Sequence, residues 1–306
     1  MKEKKIGLAL GSGGARGMAH IGVLKVLEDF NIPIDFISGS SMGAVIAALY
    51  SAEPNAKKLE KDSLEIEWKK IFDYTFPRSG LIRGERIEKI IRDKLNNIDF
   101  KDLKIPLFIT AYDLEERQEV IFTRGNVAKA VRASISIPGI FVPVEINNKI
   151  LVDGGITDPI PTEVLKQAGA DIIIAVNVDC IKEKKPLLNQ EAVDKKGSKS
   201  LPNIIENTSK SFQILTSEAC RADLKGRKAD FVININLEKI GTMDFKKGAD
   251  AIKEGEKSAR KSLEHIKKLT QNHFRNFLDE LQKNLGIKKV VEKIEEKVIE
   301  NKDKED

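Results

Sequence analysis

Histidine, cysteine and tryptophan are scarce in this chain: three, two and one in 306 residues. Cys180 and Cys220 fit no metal-ligand spacing, and spacing alone gives no ground for bridging them, so both read as ordinary thiols. His20, His265 and His273 fall in helix-like segments, none at the end of a strand where a catalytic base is sought; His20 reads as a packed or capping residue. No window approaches the roughly 18 consecutive apolar residues of a spanning helix. The start, "MKEKKIGLALGSGG", breaks its apolar run at glycine and lacks the core of a secretory signal. The expectation is a cytoplasmic protein. A large excess of one charge is also missing: 52 basic residues face 47 acidic ones, a net of +5, which describes a mixed surface and argues against a nucleic-acid partner. Local basic clusters still leave room for peripheral contact with an anionic inner membrane face.

What is present is a repeated corner. Ile6 to Leu10 reads as a buried strand, "GSGGARG" as a glycine loop and "MAHIGVLKVLEDF" as a helix; "PIDFISGSSMG" and "AVIAALYS" repeat the order. This βαβα pattern predicts a mainly parallel sheet with helices on its faces. Residues 53–97 are polar and mostly helical, interrupted at "TFPRSGLIRGER", and suggest a cap or lid. "PLFITAYDL", "EVIFT", "KILVDGG", "ADIIIAVNVD" and "ADFVININL" read as further strands, with a helix over about 161–168. Residues 181–203 are charged and aperiodic and read as a flexible loop, and a closing helix spans 245–269. From about 270 the chain becomes a charged amphipathic tail, read as a helix pair broken near Gly286 that packs on the domain or on a second copy. The division expected is therefore 1–269 for the main domain and 270–306 for the tail.

Gly39-Ser40-Ser41-Met42-Gly43 fits the G-x-S-x-G of a nucleophile elbow and lies between a predicted strand and a predicted helix. Glycines on both flanks relieve the crowding of so tight a reversal, and Ser41 would stand at a helix N-terminus, where developing negative charge is favoured. A serine hydroxyl needs a base. With no histidine at a strand end, Asp153 in "ILVDGGITDPIP" is the best candidate, where Gly154 and Gly155 clear space around it. Taken alone it would be a turn aspartate. Oxyanion donors can come from Gly11 to Gly17, whose consecutive glycines expose backbone N–H groups and whose Arg16 adds positive charge. The same loop is not a dinucleotide fingerprint: arginine stands where its third glycine is required, and no acidic residue ends the second strand. No G-K-[ST] exists for a P-loop.

"GSGGARGMAHIGVLKVLE", "ISGSSMG", "RASISIPGIFVPV" and "LVDGGITDPIP" stand in the order and spacing of the patatin-like phospholipase family, and the chain resembles its bacterial members from about Lys5 to Leu269. The resemblance implies a three-layer α/β/α sandwich and a Ser-Asp dyad that uses neither histidine nor metal nor cofactor. Carried over by position, Ser41 would be the nucleophile, Asp153 the base and the amides of Gly13 and Gly14 the oxyanion hole. Ser12 stands where family members often continue a run of glycines. The implied activity is hydrolysis of a phospholipid or other fatty-acyl ester through an acyl-enzyme. A lipid-binding protein of the same fold and an acyltransferase are the alternatives. Trp68, Phe72 and Phe76 are expected near an acyl channel, and self-association through the tail is the expected route to an oligomer.

Overall fold

Every residue of β1 (Ile6–Leu10) and β2 (Phe36–Ser40) is buried, as expected of strands covered on both faces in a parallel arrangement. In the computed structural model, which describes residues 4–75, 79–179, 204–225 and 229–285, a 3-10 turn at Gly14–Met18 leads from β1 into α1 (Ala19–Asp29). Then β2 leads into α2 (Met42–Ala52). Three helices follow: α3 (Ala56–Leu64), opened by Asn55, whose side chain accepts from Lys58 N at 2.9 Å, then α4 (Trp68–Ile71) and α5 (Glu85–Lys94). The chain continues through β3 (Leu107–Asp113), β4 (Gln118–Phe122), α6 (Val127–Ser134), β5 (Val144–Ile146), β6 (Lys149–Asp153), α7 (Glu163–Gln167) and β7 (Ile172–Asn177). The last described elements are α8 (Ile204–Lys225), β8 (Phe231–Asn234) and α9 (Gly248–Leu285).

The sheet has the order β5-β6-β3-β2-β1-β7-β8, with β4 also on β3. Its five central strands, β3 to β8 along that order, pair parallel, while β4, β5 and β6 join antiparallel. One face packs Ala9, Phe36, Ile173 and Ala175 against Val164 and Leu165 of α7 and Cys220 of α8. The other sets Ala111 and Leu151 against Ala133 of α6. This is the expected α/β/α layering.

β3 does the joining that matters for function. Its first half pairs with β2, ending at Ser40 opposite Thr110, and its second half pairs with β6, beginning at Asp153 opposite Ala111. The ends of β2 and β6 therefore meet at consecutive positions of one strand.

Some expectations change. α9 begins at Gly248 and continues past residue 269 to Leu285 as one helix, while the predicted break near Gly286 and the loop at 181–203 lie outside the described residues. β5 and α6 were not legible as separate elements. Cys220 is disulfide-bonded, which corrects its reading as an ordinary thiol; Cys180 lies outside the described residues. Pairing depends on what the fold brings together, which spacing along the chain does not encode. Residues Lys5–Ser262 form one compact unit, and the part of α9 from Leu263 belongs to a second. Among the described residues no helix is long and apolar enough to cross a membrane.

Candidate active site

Ser41 is the N-cap of α2 and holds φ 54°, ψ −123°, a conformation that costs a non-glycine residue free energy and is kept only where the surroundings enforce it. The enforcement is visible. The amide of Ser41 donates to Ser134 Oγ at 2.9 Å, and the flanking glycines let backbone meet backbone. A β-carbon on Gly43 would lie 2.1 Å from Leu10 O, and one on Gly39 would lie 2.6 Å from Ala44 N. The corner is bare because β1 and α2 touch through it, more than because a side chain there would obstruct a ligand.

Asp153 ends β6 and is fully buried. Its amide donates to Ser136 O at 3.0 Å, and its Oδ1 accepts from Gly155 N at 2.8 Å. Oδ2 has no partner of normal hydrogen-bond geometry, although the Ser41 hydroxyl stands near enough to pull the carboxyl's pKa down. Burial is the stronger influence and raises that pKa from 3.8 to about 7. A buried carboxyl of pKa about 7 is matched to proton transfer near neutrality. The segment "RASISIP", part of one of the motifs that carry the family resemblance, holds both residues: Ser134 takes the amide of Ser41, and Ser136 takes that of Asp153. Arg132 fixes Ser136 in turn, donating Nη1 to its hydroxyl at 2.6 Å and Nη2 to Val142 O at 2.8 Å and to Arg83 O.

The glycine loop has its amides assigned with two exceptions. Gly11 N donates to Val176 O, Ser12 N to Pro159 O, Ala15 N to Thr242 O and Arg16 N to Gly13 O, at 2.8 to 3.1 Å. The amides of Gly13 and Gly14 have no partner among the described residues, and both residues line the space beside Ser41. Gly14 has φ +55°, and a β-carbon on it would come within 2.2 Å of Thr242 O. Gly17 lies against Met42, whose Cγ would be 2.4 Å from an added β-carbon, so the loop and the elbow are packed together. His20 braces the loop from below: its Nε2 bonds Gly11 O at 2.7 Å, and burial lowers its pKa to about 4, leaving it neutral. It is the packed histidine that the sequence suggested.

Arg16 is an anchor of the loop. Its guanidinium is buried and engaged, with Nη1 2.7 Å from Asp179 Oδ1 and Nε donating to Ile240 O at 2.6 Å. Its charge is paired with a carboxylate, and the pair anchors the loop. Asp179 escaped notice in the sequence because it is simply the last residue of a stretch that reads as a buried strand; it also accepts from Thr216 Oγ1 at 2.9 Å and Gln213 Nε2 at 3.1 Å. Burial pushes its carboxyl up, opposed chiefly by Arg16. Removing one partner of such a pair strands a buried charge, so Asp179→Ala is expected to lower unfolding stability by about 3–5 kcal/mol in denaturant titration.

A cavity of about 390 Å³ opens from Ser41 and Gly14 and is walled by apolar side chains, among them Val45, Leu49, Ile91, Phe141 and Phe245. Phe72 lines it as expected; Phe76 and the side chain of Trp68 lie outside the described residues. The helices read as a cap form one of its walls through Leu59 and Ile91. Among the described residues no cluster of side chains suited to a metal ion occurs.

A strand, a strained serine and a helix beside a glycine loop with two unclaimed amides define an α/β protein of the nucleophile-elbow class. The patatin-like phospholipase family model matches residues 8–166, more than half of the chain, and the chain belongs to that family. It is 38% identical over 181 residues to an uncharacterized NTE family protein of Mycobacterium tuberculosis, covering 57% of this chain and 49% of the relative. It is 28% identical over 288 residues to Lysophospholipase NTE1 of Yarrowia lipolytica, covering 87% of this chain and 20% of that one. With Neuropathy target esterase sws of Drosophila melanogaster it shares 35% identity over 183 residues, 56% of this chain and 13% of the relative. The chain thus spans about half or less of the length of these relatives. Among solved structures, VipD from Legionella pneumophila superposes with a TM-score of 0.56 at 14% identity, over 87% of this chain and 67% of that one, a likeness of fold.

Proposed function

We propose that the protein hydrolyses fatty-acyl esters of lipids through an acyl-enzyme on Ser41. The observation that carries the reading is the junction at β3, where the strained serine, which lines an apolar cavity, meets a buried carboxyl of pKa about 7. Asp153, ionised, takes the proton of Ser41 Oγ as that oxygen attacks the ester carbonyl. The amides of Gly13 and Gly14 donate to the oxyanion, and the alcohol leaves with the proton returned by Asp153. Water then attacks the acyl-enzyme with Asp153 again as base, releasing the fatty acid and restoring the serine. Each oxyanion donor in such sites is worth about 3–4 kcal/mol of barrier. Ester hydrolysis is supported further by two relatives, one named a lysophospholipase and one an esterase.

The test is steady-state hydrolysis of p-nitrophenyl acyl esters and of a lysophospholipid by wild type and Ser41→Ala. Turnover is expected to fall to the background rate in the variant while thermal unfolding stays close to that of wild type. Equal turnover in the two proteins would refute the assignment of Ser41.

A further inference from the structure

α2 is buried on nearly all sides, as its sequence "MGAVIAALYSA" demands, yet three of its positions are only half-buried: Val45, Leu49 and Ala52. They are spaced i, i+4, i+7, so they form a single stripe down one face of the helix. The stripe is incompletely covered because it borders the cavity: all three residues line it, as does Ser41 at the head of the helix. The cavity's solvent-exposed lining, Glu53, Asn55, Lys58, Asp93 and Lys94, lies at the opposite end, where α2 stops, α3 begins and α5 stops. Two ion pairs stand there, Lys58 with Glu53 at 2.5 Å and Lys94 with Asp62 at 3.1 Å. The space is thus apolar from the serine outward along α2 and becomes charged at the helix's C-terminal end.

We infer that this stripe is a ruler for acyl-chain length: the chain of the ester bound at Ser41 lies along α2, and Val45, Leu49 and Ala52 mark successive depths to its methyl end. The inference rests on the proposed acyl-hydrolase reading and adds to it a substrate class, esters of one long unbranched acid. α2 has 11 residues, about 16 Å at 1.5 Å per residue. With carbon–carbon bonds of about 1.5 Å, a zigzag alkyl chain advances roughly 1.25 Å per carbon, so that length matches about 13 carbons. Shorter chains leave apolar wall unfilled and forgo the burial that favours binding. Longer ones push methylenes among two ion pairs and water, where nothing is gained.

The experiment measures kcat/KM for p-nitrophenyl esters of every even length from four to sixteen carbons, in wild type and in Val45→Trp, Leu49→Trp and Ala52→Trp. Wild type should be best near twelve to fourteen carbons. Each tryptophan should cut activity at least tenfold beyond a limiting length, and that limit should shorten in the order Ala52, Leu49, Val45. A variant that merely folds poorly would lower all lengths in proportion and cannot produce this order. Leu49→Phe, a smaller intrusion, should place its limit between those of wild type and Leu49→Trp. Profiles that keep the wild-type shape, or limits that do not follow the order of depth, overturn the ruler while leaving the hydrolase intact. A wild type that cleaves no ester of any length overturns the hydrolase reading itself, and the ruler with it.

Discussion

Replacing Asp153 by asparagine should abolish turnover and at the same time make the protein more stable at neutral pH. The carboxyl sits wholly buried, and burial raises its pKa from 3.8 to about 7. In the unfolded chain it would lose its proton near 4, whereas the folded chain keeps it until about 7. Between those values the native state binds the extra proton, so stability falls as pH rises through the window and is fully reduced above it. A displacement from 3.8 to about 7 corresponds to about 4 kcal/mol at most. Asp153→Asn escapes this loss because the amide carries no charge at any pH and can still accept from Gly155 N. The melting temperature of the variant should therefore exceed that of wild type at pH 8, and the difference should vanish below pH 4. Its kcat/KM should be lower by at least about 10³-fold, since no base remains to take the serine proton. In wild type the same ionisation should appear as a rise of kcat/KM with pH that levels off above about 7. A stability gap independent of pH, or a rate flat between pH 5 and 8, would show that Asp153 is not the titrating base.

The second large effect belongs to Gly14. Substitution by alanine must place a side chain at φ +55° with its β-carbon 2.2 Å from Thr242 O. The left-handed conformation alone costs about 1–2 kcal/mol, and the contact with a carbonyl cannot be relieved by rotating a side chain, so the loop itself has to move. That movement carries the amides of Gly13 and Gly14 away from Ser41. Loss of one oxyanion donor costs about 10²- to 10³-fold in kcat, and the displaced loop holds both. Gly14→Ala should accordingly lower kcat by at least about 10²-fold with little change in KM, because the donors act on the tetrahedral oxyanion more than on bound ester. A KM effect alone would place the oxyanion donors elsewhere.

Much of this arrangement was written locally in the chain. Strand, small residues and helix around Ser41 make an elbow whatever surrounds them, and the glycine loop announces its backbone donors in the same way. Asp153 could be singled out by elimination and by the glycines that follow it. What could not be read was everything that depends on distance across the sheet. That Ser41 and Asp153 meet follows from β3 giving one half of its edge to β2 and the other to β6, a pairing that no spacing along the chain reveals. Ser134 and Ser136 lie in a motif that carried the resemblance, and their particular role comes from which amides face them. Arg16 looked like a charge at the site because its partner Asp179 is far away in sequence. The cavity wall was sought in aromatics, whereas a stripe of α2 that reads as core supplies much of it. Burial in the fold, which no spacing along the chain shows, makes Asp153 a base of useful strength.

The most direct test of the account is to trap the acyl-enzyme. Wild type mixed with a slowly deacylating long-chain p-nitrophenyl ester and quenched in acid should gain the mass of one acyl group, located by peptide mass spectrometry on the segment that contains Ser41. Ser41→Ala should gain none. An acyl group mapped to another residue, or hydrolysis that proceeds with no covalent adduct on Ser41 at any time, would contradict the mechanism proposed.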